Sequence, residues 1–399
     1  MNKLETPFAN RKHIGIFGDT NAGKSTLFNQ ILNQDLSIVS DLHGTTTDPV
    51  IKGMELIPYG PVALIDTAGF GDVSVLGEER RKKTEKILER CDYVLYVIDI
   101  TTADITKIEA TIQYFKTTPY SLVFTKTDLV SGQEKIAGFS EKYPAAQFIS
   151  QDDENAIISL KAHLVNELKK LGEDDGSMIS GLLKPGDHVV LVIPIDSAAP
   201  KGRLILPQVT FIRNCLDEGV ICTVTNEEHL SQTLSSLETV NLVVTDSQIF
   251  KTVSKIVPNN ISLTSFSMLL ARQKGDLSAM LSACDTIPQL KNGDKILMLE
   301  ACTHNHTHED IGRAKIPTLL QKNTGATLEF EYYVGYDFPK DLSKYKLAIH
   351  CGGCMITKKT ILSRIEKCKN AGLPITNYGV ILAYLSGISN RAAEVFQNE

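Results

Sequence analysis

The segment Gly18-Asp-Thr-Asn-Ala-Gly23-Lys24-Ser25 constrains this chain more than any other stretch. It reads G-x-x-x-x-G-K-S between a strand-like run, His13–Phe17, and a helix-like run, Ser25–Leu32. The glycines let backbone N–H groups turn inward around a polyphosphate, and the start of the helix adds a favourable dipole. Lys24 is placed to neutralise the β and γ phosphates and Ser25 to ligate Mg²⁺, with Ala22 and Thr26 beside them at the nucleotide. The runs "VALIDT", "YVLYVID", "SLVFTK" and "AQFIS" alternate with helical segments such as "EERRKKTEKILER". That alternation predicts an α/β domain over residues 1–172, a mostly parallel sheet with helices on both faces.

Further fixed points follow in order. Gly44-Thr45-Thr46-Thr47-Asp48 is a polar loop in which Thr46 would reach the γ-phosphate and Mg²⁺. Asp66-Thr67-Ala68-Gly69 ends a strand, with the carboxylate near the metal and the Gly69 N–H near the γ-phosphate. In Thr125-Lys126-Thr127-Asp128, the Asp128 carboxylate can accept from the guanine ring N–H and its exocyclic amine, a donor pair adenine lacks. Ser150 stands where a loop closes over the base. Together these resemble the G domains of the TrmE–Era type. The resemblance implies GTP and GDP as ligands, and K⁺ held by Asn21 as an activator beside Lys24 and Thr46. Two positions depart from the pattern: Thr125 stands where an asparagine is usual, and Phe70 stands where a water-orienting glutamine is found in Ras-like enzymes. Slow, regulatory hydrolysis that leans on K⁺ is the expectation.

Composition narrows the partners. The net charge of −6 and the lack of a basic stripe speak against nucleic acid. No run approaches the ~18 apolar residues of a membrane span, and no signal-like segment opens the chain, so a cytoplasmic protein is expected. In a reducing compartment the eight cysteines are thiols or metal ligands. Cys91, Cys215, Cys222, Cys284 and Cys368 lie in apolar or helical surroundings and read as small buried hydrophobes.

The remaining three cysteines do not. After a polar, acidic linker at Gly172–Ser177, two more α/β blocks are read, residues 180–264 and 265–399, without an internal sequence repeat. In the last block, Cys302 follows the strand "KILMLE" by one residue, and His350-Cys351-Gly-Gly-Cys354 follows "KLAIH". If these strands are parallel, both loops emerge at the carboxyl edge of one sheet, where open α/β sheets form ligand crevices. Three thiolates fit a [4Fe–4S] cluster with one iron left to a weaker ligand, for which His304, His350, Glu309, Asp310 or water are all open. His306 and His308 read as solvated loop residues. A structural zinc site wants four protein ligands.

A P-loop G domain followed by Cys302-x-His304 and His350-Cys351-x-x-Cys354 resembles the [FeFe]-hydrogenase maturation GTPases over essentially the whole chain, as does the middle segment "VTDSQIF" (Val244–Phe250). The resemblance implies a dimerisation domain in the middle block, hence a homodimer. It also implies a scaffold and carrier for the two-iron precursor of the hydrogenase cluster, loaded by radical-SAM maturases and emptied into apo-hydrogenase. The competing expectations are an RNA-modification or ribosome-assembly GTPase with a structural zinc, and a redox enzyme that uses the cluster for electron transfer.

Overall fold

The computed structural model describes residues 8–33, 40–42, 50–67, 85–115, 118–130, 133–151, 153–172, 176–195, 204–301 and 311–396. The chain divides into two compact units, Met1–Asp174 and Asp175–Glu399.

The first unit is built on a seven-stranded sheet in the order β2-β3-β4-β1-β5-β6-β7. Its strands are β1 Lys12–Gly18, β2 Ser40–Leu42, β3 Val50–Leu56, β4 Gly60–Asp66, β5 Tyr93–Asp99, β6 Tyr120–Thr125 and β7 Gln147–Phe148. Strands β4, β1, β5, β6 and β7 run parallel, while β2–β3 and β3–β4 pair antiparallel. The central strands are buried on both faces, which is why "IGIF", "VALI" and "YVLYVI" are nearly unbroken apolar runs. Alternate residues still divide between faces. Ile14, Ile16, Leu95 and Val97 pack with Leu27, Phe28 and Ile31 of the helix Lys24–Asn33 and with Leu160 and Leu164 of Glu154–Lys170. Phe17, Val94, Tyr96 and Ile98 pack on the other side against Ile108, Phe115 and Phe139. The expected architecture is therefore present. The antiparallel edge β2–β3 is an addition that sequence reading passes over, because β3 alternates Gly, Met and charged residues rather than forming an apolar block. Of the expected helix at "EERRKKTEKILER", residues 85–88 are helical, 89–90 form a turn, and 78–84 lie outside the described residues.

The second unit contains two four-stranded, all-parallel sheets. The first joins β8 His188–Val192, β9 Ile221–Thr225, β10 Leu242–Thr245 and β11 Ser262–Ser265 in the order β11-β10-β8-β9. The other joins β12 Lys295–Glu300, β13 Glu329–Val334, β14 Tyr345–His350 and β15 Ile375–Asn377 in the order β13-β12-β14-β15. Numbered within each sheet, both follow the order 2-1-3-4. No sequence repeat announces this; the fold repeats where the residues do not. Each order reverses between the first and third strands, and such a reversal opens a crevice at the carboxyl edge. Helices foreseen near Gly202, Glu227 and Ser247 begin later, at Leu206, Leu230 and Phe250. The intervening polar residues form turns where they are described. Strands β11 and β15 and the helix Phe266–Lys274 are also unanticipated.

Candidate functional site

In the first unit the carboxyl ends of β1, β4, β5 and β6 gather the phosphate-site residues. Register pairs Ile16 with Asp66 and Gly18 with Val97, so the P-loop leaves the sheet beside the Asp66 carboxylate. A Cβ on Gly18 would lie 2.2 Å from the Val97 carbonyl oxygen, so only glycine lets the loop turn there. Asn21 and Gly23 adopt positive φ, 61° and 89°, which curls the loop ahead of the helix Lys24–Asn33. The first N–H groups of that helix lack intrahelical partners and are available to phosphate oxygens.

Lys24 is buried, and its ammonium donates to the Asp19 carbonyl at 2.6 Å. Burial lowers its pKa, while Asp66 and Asp19 oppose the shift. Ser25 Oγ donates to Asp66 Oδ2 at 2.8 Å, whereas the buried Asp66 Oδ1 has no hydrogen-bond partner among the described residues. Burial raises the Asp66 pKa, against the Ser25 hydrogen bond and the Lys24 charge. A hydroxyl beside a buried carboxylate with one unused oxygen suits a hard divalent cation, so Ser25 and Asp66 fit Mg²⁺. Asn21 and Thr26 are exposed at the loop.

At the base-reading end, Thr125 is buried and its hydroxyl donates to the Ala22 carbonyl at 2.7 Å, with the Ile98 carbonyl 3.1 Å away. Thr125 therefore ties the end of β6 to the P-loop backbone. Lys126 has φ of 57°, and its ammonium meets Asp99 Oδ2 at 2.6 Å. Burial alone would raise the Asp99 pKa, but Lys126 and Thr101 together bring it below the ordinary value. Asp128 is exposed, and its Oδ1 accepts from the Gln151 N–H at 3.2 Å, next to Ser150. Sequence reasoning missed Asp99 and Gln151. The acidic end of "YVLYVID" opposite the lysine of "TKTD" was the available signal for Asp99. Thr46, Gly69 and Phe70 lie outside the described residues.

In the second unit, β12 and β14 are neighbours at a point of strand-order reversal, and the cysteine loop leaves the carboxyl end of β14 there. The Cys351 N–H donates to the Leu299 carbonyl at 2.8 Å, and Cys351 Sγ accepts from the Ala301 N–H at 3.0 Å. Gly353 also donates its N–H to this sulfur. Gly353 has φ of 67°, and a Cβ there would lie 2.5 Å from Ile361 Cδ1. Burial pushes the Cys351 thiol up to about 11, against the Gly353 and Ala301 N–H groups, and raises Cys354 against Lys274. Both sulfurs are thus neutral thiols until something displaces the protons. Backbone N–H groups aimed at the sulfur of the half-buried Cys351 suit a thiolate ligand.

His350 is differently placed. Its Nδ1 donates to the Cys351 carbonyl at 2.6 Å, so Nε2 is the acceptor, and it receives Arg364 Nη1 at 2.9 Å. Burial, then the Arg364 charge, pushes its pKa down to about 3. Both ring nitrogens are occupied, and His350 could take a metal only by giving up one of these bonds. Cys302, His304, His306, His308, Glu309 and Asp310 lie outside the described residues. Among the described residues no three His, Cys, Asp or Glu side chains gather as a metal site. Of the cysteines read as core residues, Cys91, Cys215, Cys284 and Cys368 are buried, and Cys222 is half-buried.

Comparison with known proteins bears on both ends. Residues 178–275 match the hydrogen maturase F dimerization domain, and residues 278–395 match its tetramerization domain. The two stretches take up more than half of the chain. The chain belongs to the hydrogen maturase F family. Residues 13–126 match the 50S ribosome-binding GTPase family, so the first unit is a GTPase domain whose reaction is GTP hydrolysis. The tRNA modification GTPase MnmE of Mesoplasma florum is 30% identical over 169 residues, 42% of this chain and 37% of the relative. GTPase Der of Wolinella succinogenes is 42% identical over 89 residues, 22% of this chain and 19% of the relative. The chain thus spans less than half the length of these relatives. A crystal structure of Aquifex aeolicus Era bound to GDP·AlF4⁻ superposes with a TM-score of 0.31 at 20% identity, over 54% of this chain and 93% of that one. Among the described residues, no helix is long and apolar enough to cross a membrane.

Proposed function

We propose that this hydrogen-maturase GTPase is an iron–sulfur scaffold and carrier whose G domain regulates delivery of a two-iron precursor to apo-hydrogenase. The observation that carries the reading is the hydrogen bond from Ala301, the residue preceding Cys302, to the Cys351 sulfur across neighbouring strands. It supports a ligand set of Cys302, Cys351 and Cys354 drawn from both loops. The bonds that His350 makes on both nitrogens favour His304, Glu309, Asp310 or water for the remaining iron position. A cluster held by three thiolates and one weaker ligand binds firmly yet keeps an exchangeable corner, which a carrier needs.

In the G domain, Lys24 and the helix start would hold the phosphates, Ser25, Asp66 and Thr46 the Mg²⁺, Asn21 a K⁺, and Gly69 the γ-phosphate; Asp128, Lys126 and Ser150 would enclose guanine. The matched dimerization and tetramerization domains support self-association; a cytoplasmic homodimer served by radical-SAM maturases, with domains at 1–172, 180–264 and 265–399, is the form proposed. The deciding experiment is anaerobic loading with iron and sulfide. A brown protein with a paramagnetic signal on reduction, lost in Cys354→Ser, is expected. A colourless protein that takes up one zinc overturns the reading. GTP turnover equal in K⁺ and Na⁺ overturns the Asn21 assignment alone.

A further inference from the structure

The carboxyl end of β5 carries an acid that braces the loop after β6. Asp99 closes β5 and Thr125 closes β6, and register places them side by side. Lys126 leaves β6 there with a left-handed backbone, φ of 57° and ψ of 37°. Such a backbone is strained for a residue with a side chain and persists only where its surroundings hold it. Two bonds hold it here. The Thr125 hydroxyl ties the strand to the Ala22 carbonyl of the P-loop, and the Lys126 ammonium meets Asp99 Oδ2 at 2.6 Å. The other oxygen of Asp99 accepts from the Thr101 N–H at 2.9 Å and from the Thr101 hydroxyl at 2.6 Å. Thr101 is fixed in turn, since its carbonyl accepts from the Lys135 ammonium at 2.9 Å. One carboxylate oxygen is thus committed to the lysine and the other to a brace. The Asp99 side chain is 16% exposed and that of Lys126 33%, against 36% for Asp19 and 59% for Lys107 in another ion pair of the same unit.

A pair between two exposed side chains contributes little, because water screens it and both side chains give up freedom to meet. The Asp99–Lys126 pair is better shielded, and its acid is already immobilised by Thr101, so only the lysine has freedom to lose. We infer that Asp99 is a positioning residue. It draws the Lys126 ammonium toward β5, so that the methylene stem is laid out as a wall for the guanine ring before nucleotide arrives. Lysine stems cover apolar surface while the charged head finds its partner elsewhere. The same loop presents the Asp128 acceptor and is laced to the segment beside it. The Thr127 N–H donates to the Ile149 carbonyl at 3.4 Å, and Asp128 Oδ1 accepts from the Gln151 N–H at 3.2 Å. A side chain ordered in advance loses little rotamer freedom on binding, and the affinity keeps that difference. The inference rests on the base-reading assignment of Lys126 and Asp128 above. It adds a residue from the neighbouring strand that acts through Lys126.

The test uses the full chain freed of nucleotide and compares wild type with Asp99→Asn, Lys126→Met, the double variant and Asp128→Ala. Asparagine keeps the shape of Asp99 and withdraws the charge from Lys126; methionine keeps most of the stem and loses the ammonium. Affinities for GDP, ADP and inorganic pyrophosphate are measured with Mg²⁺ present. Asp99→Asn is expected to weaken GDP binding about 5–30-fold, the affinity equivalent of one lysine's rotamer freedom. Pyrophosphate has no base to lay on the stem and should bind as it does to wild type. Lys126→Met should lose as much GDP affinity as Asp99→Asn, and the double variant no more than either, because both cut the same tether. A merely structural aspartate would weaken GDP and pyrophosphate together and would add its loss to that of Lys126→Met. Either of those results overturns the inference, as does GDP binding that is unchanged or tighter in Asp99→Asn. Should Asp99→Asn not fold, Thr101→Val, which loosens the brace and leaves the carboxylate in place, is put through the same comparison of GDP with pyrophosphate. An Asp128→Ala chain that still prefers GDP to ADP refutes the base-reading assignment instead.

Discussion

Replacing Thr125 by valine isolates the tie between the base-reading strand and the phosphate loop. The side chain is 7% exposed, and its hydroxyl bonds the Ala22 carbonyl at 2.7 Å beside the helix start. Valine keeps the shape and removes the donor, so a buried carbonyl loses its partner at a cost of about 1–3 kcal/mol. If that cost falls wholly on the nucleotide-competent loop, GDP binding weakens about 5–150-fold, at 1.4 kcal/mol per tenfold. Titration with a fluorescent GDP analogue measures the affinity, and a thermal melt shows how much of the cost reaches the fold. Thr125→Ser keeps the O–H and is expected to bind as wild type does. A valine variant with unchanged affinity and melting temperature refutes the reasoning, as does a serine variant that loses as much as valine.

Asp66→Asn is expected to abolish Mg²⁺-dependent hydrolysis while raising the melting temperature of the metal-free protein at neutral pH. Burial holds the folded pKa of Asp66 above its unfolded value, so its charge costs stability above that pKa, and the gain should vanish on acidification. Melts of both proteins across pH, without Mg²⁺, check the sign. Asp128→Ala removes a charged acceptor for guanine and is expected to cost about 1.5–3 kcal/mol per lost hydrogen bond, read as weaker GDP binding with ATP competition no longer discriminated. His350 is held neutral with a pKa of about 3 against an ordinary 6.5, so the unfolded chain binds its proton first. Stability of the second unit should therefore fall as pH drops from 6.5 toward 3, and His350→Gln should flatten that limb in denaturant titrations.

The parts of the molecule legible in sequence are those where local chemistry leaves few options. The P-loop announces itself because glycines, a lysine and a serine must sit between strand and helix, and the buried parallel strands are apolar throughout. What escaped reading depends on tertiary placement. Arg364 sits in "KKTILSRIEKCKN", which looks like a solvated basic helix, yet it shares a buried stripe with Ile361, Ile365 and Cys368. Its spacing of three residues from Ile361 and four from Cys368 was the available clue. His350 looked like a ligand because it adjoins Cys351; only the tertiary structure shows both nitrogens spent on Arg364 and a carbonyl. The short strands β2, β11 and β15 are made by their neighbours more than by their own residues.

The shared strand order of the two C-terminal sheets has a mechanical consequence. The same topology places one notch at the carboxyl edge of each, between β12 and β14 and between β8 and β10. In the former the loop after the third strand presents Cys351 and Cys354. In the latter, Asp246 at the equivalent position is latched by the fully buried Gln208 at 2.9 Å, and Ser247 is bonded to Ser267. Ser267 opens the helix whose far end is Lys274. One copy of the architecture is thus latched by its own side chains, and the same latch is bonded to the start of the helix that ends at Lys274.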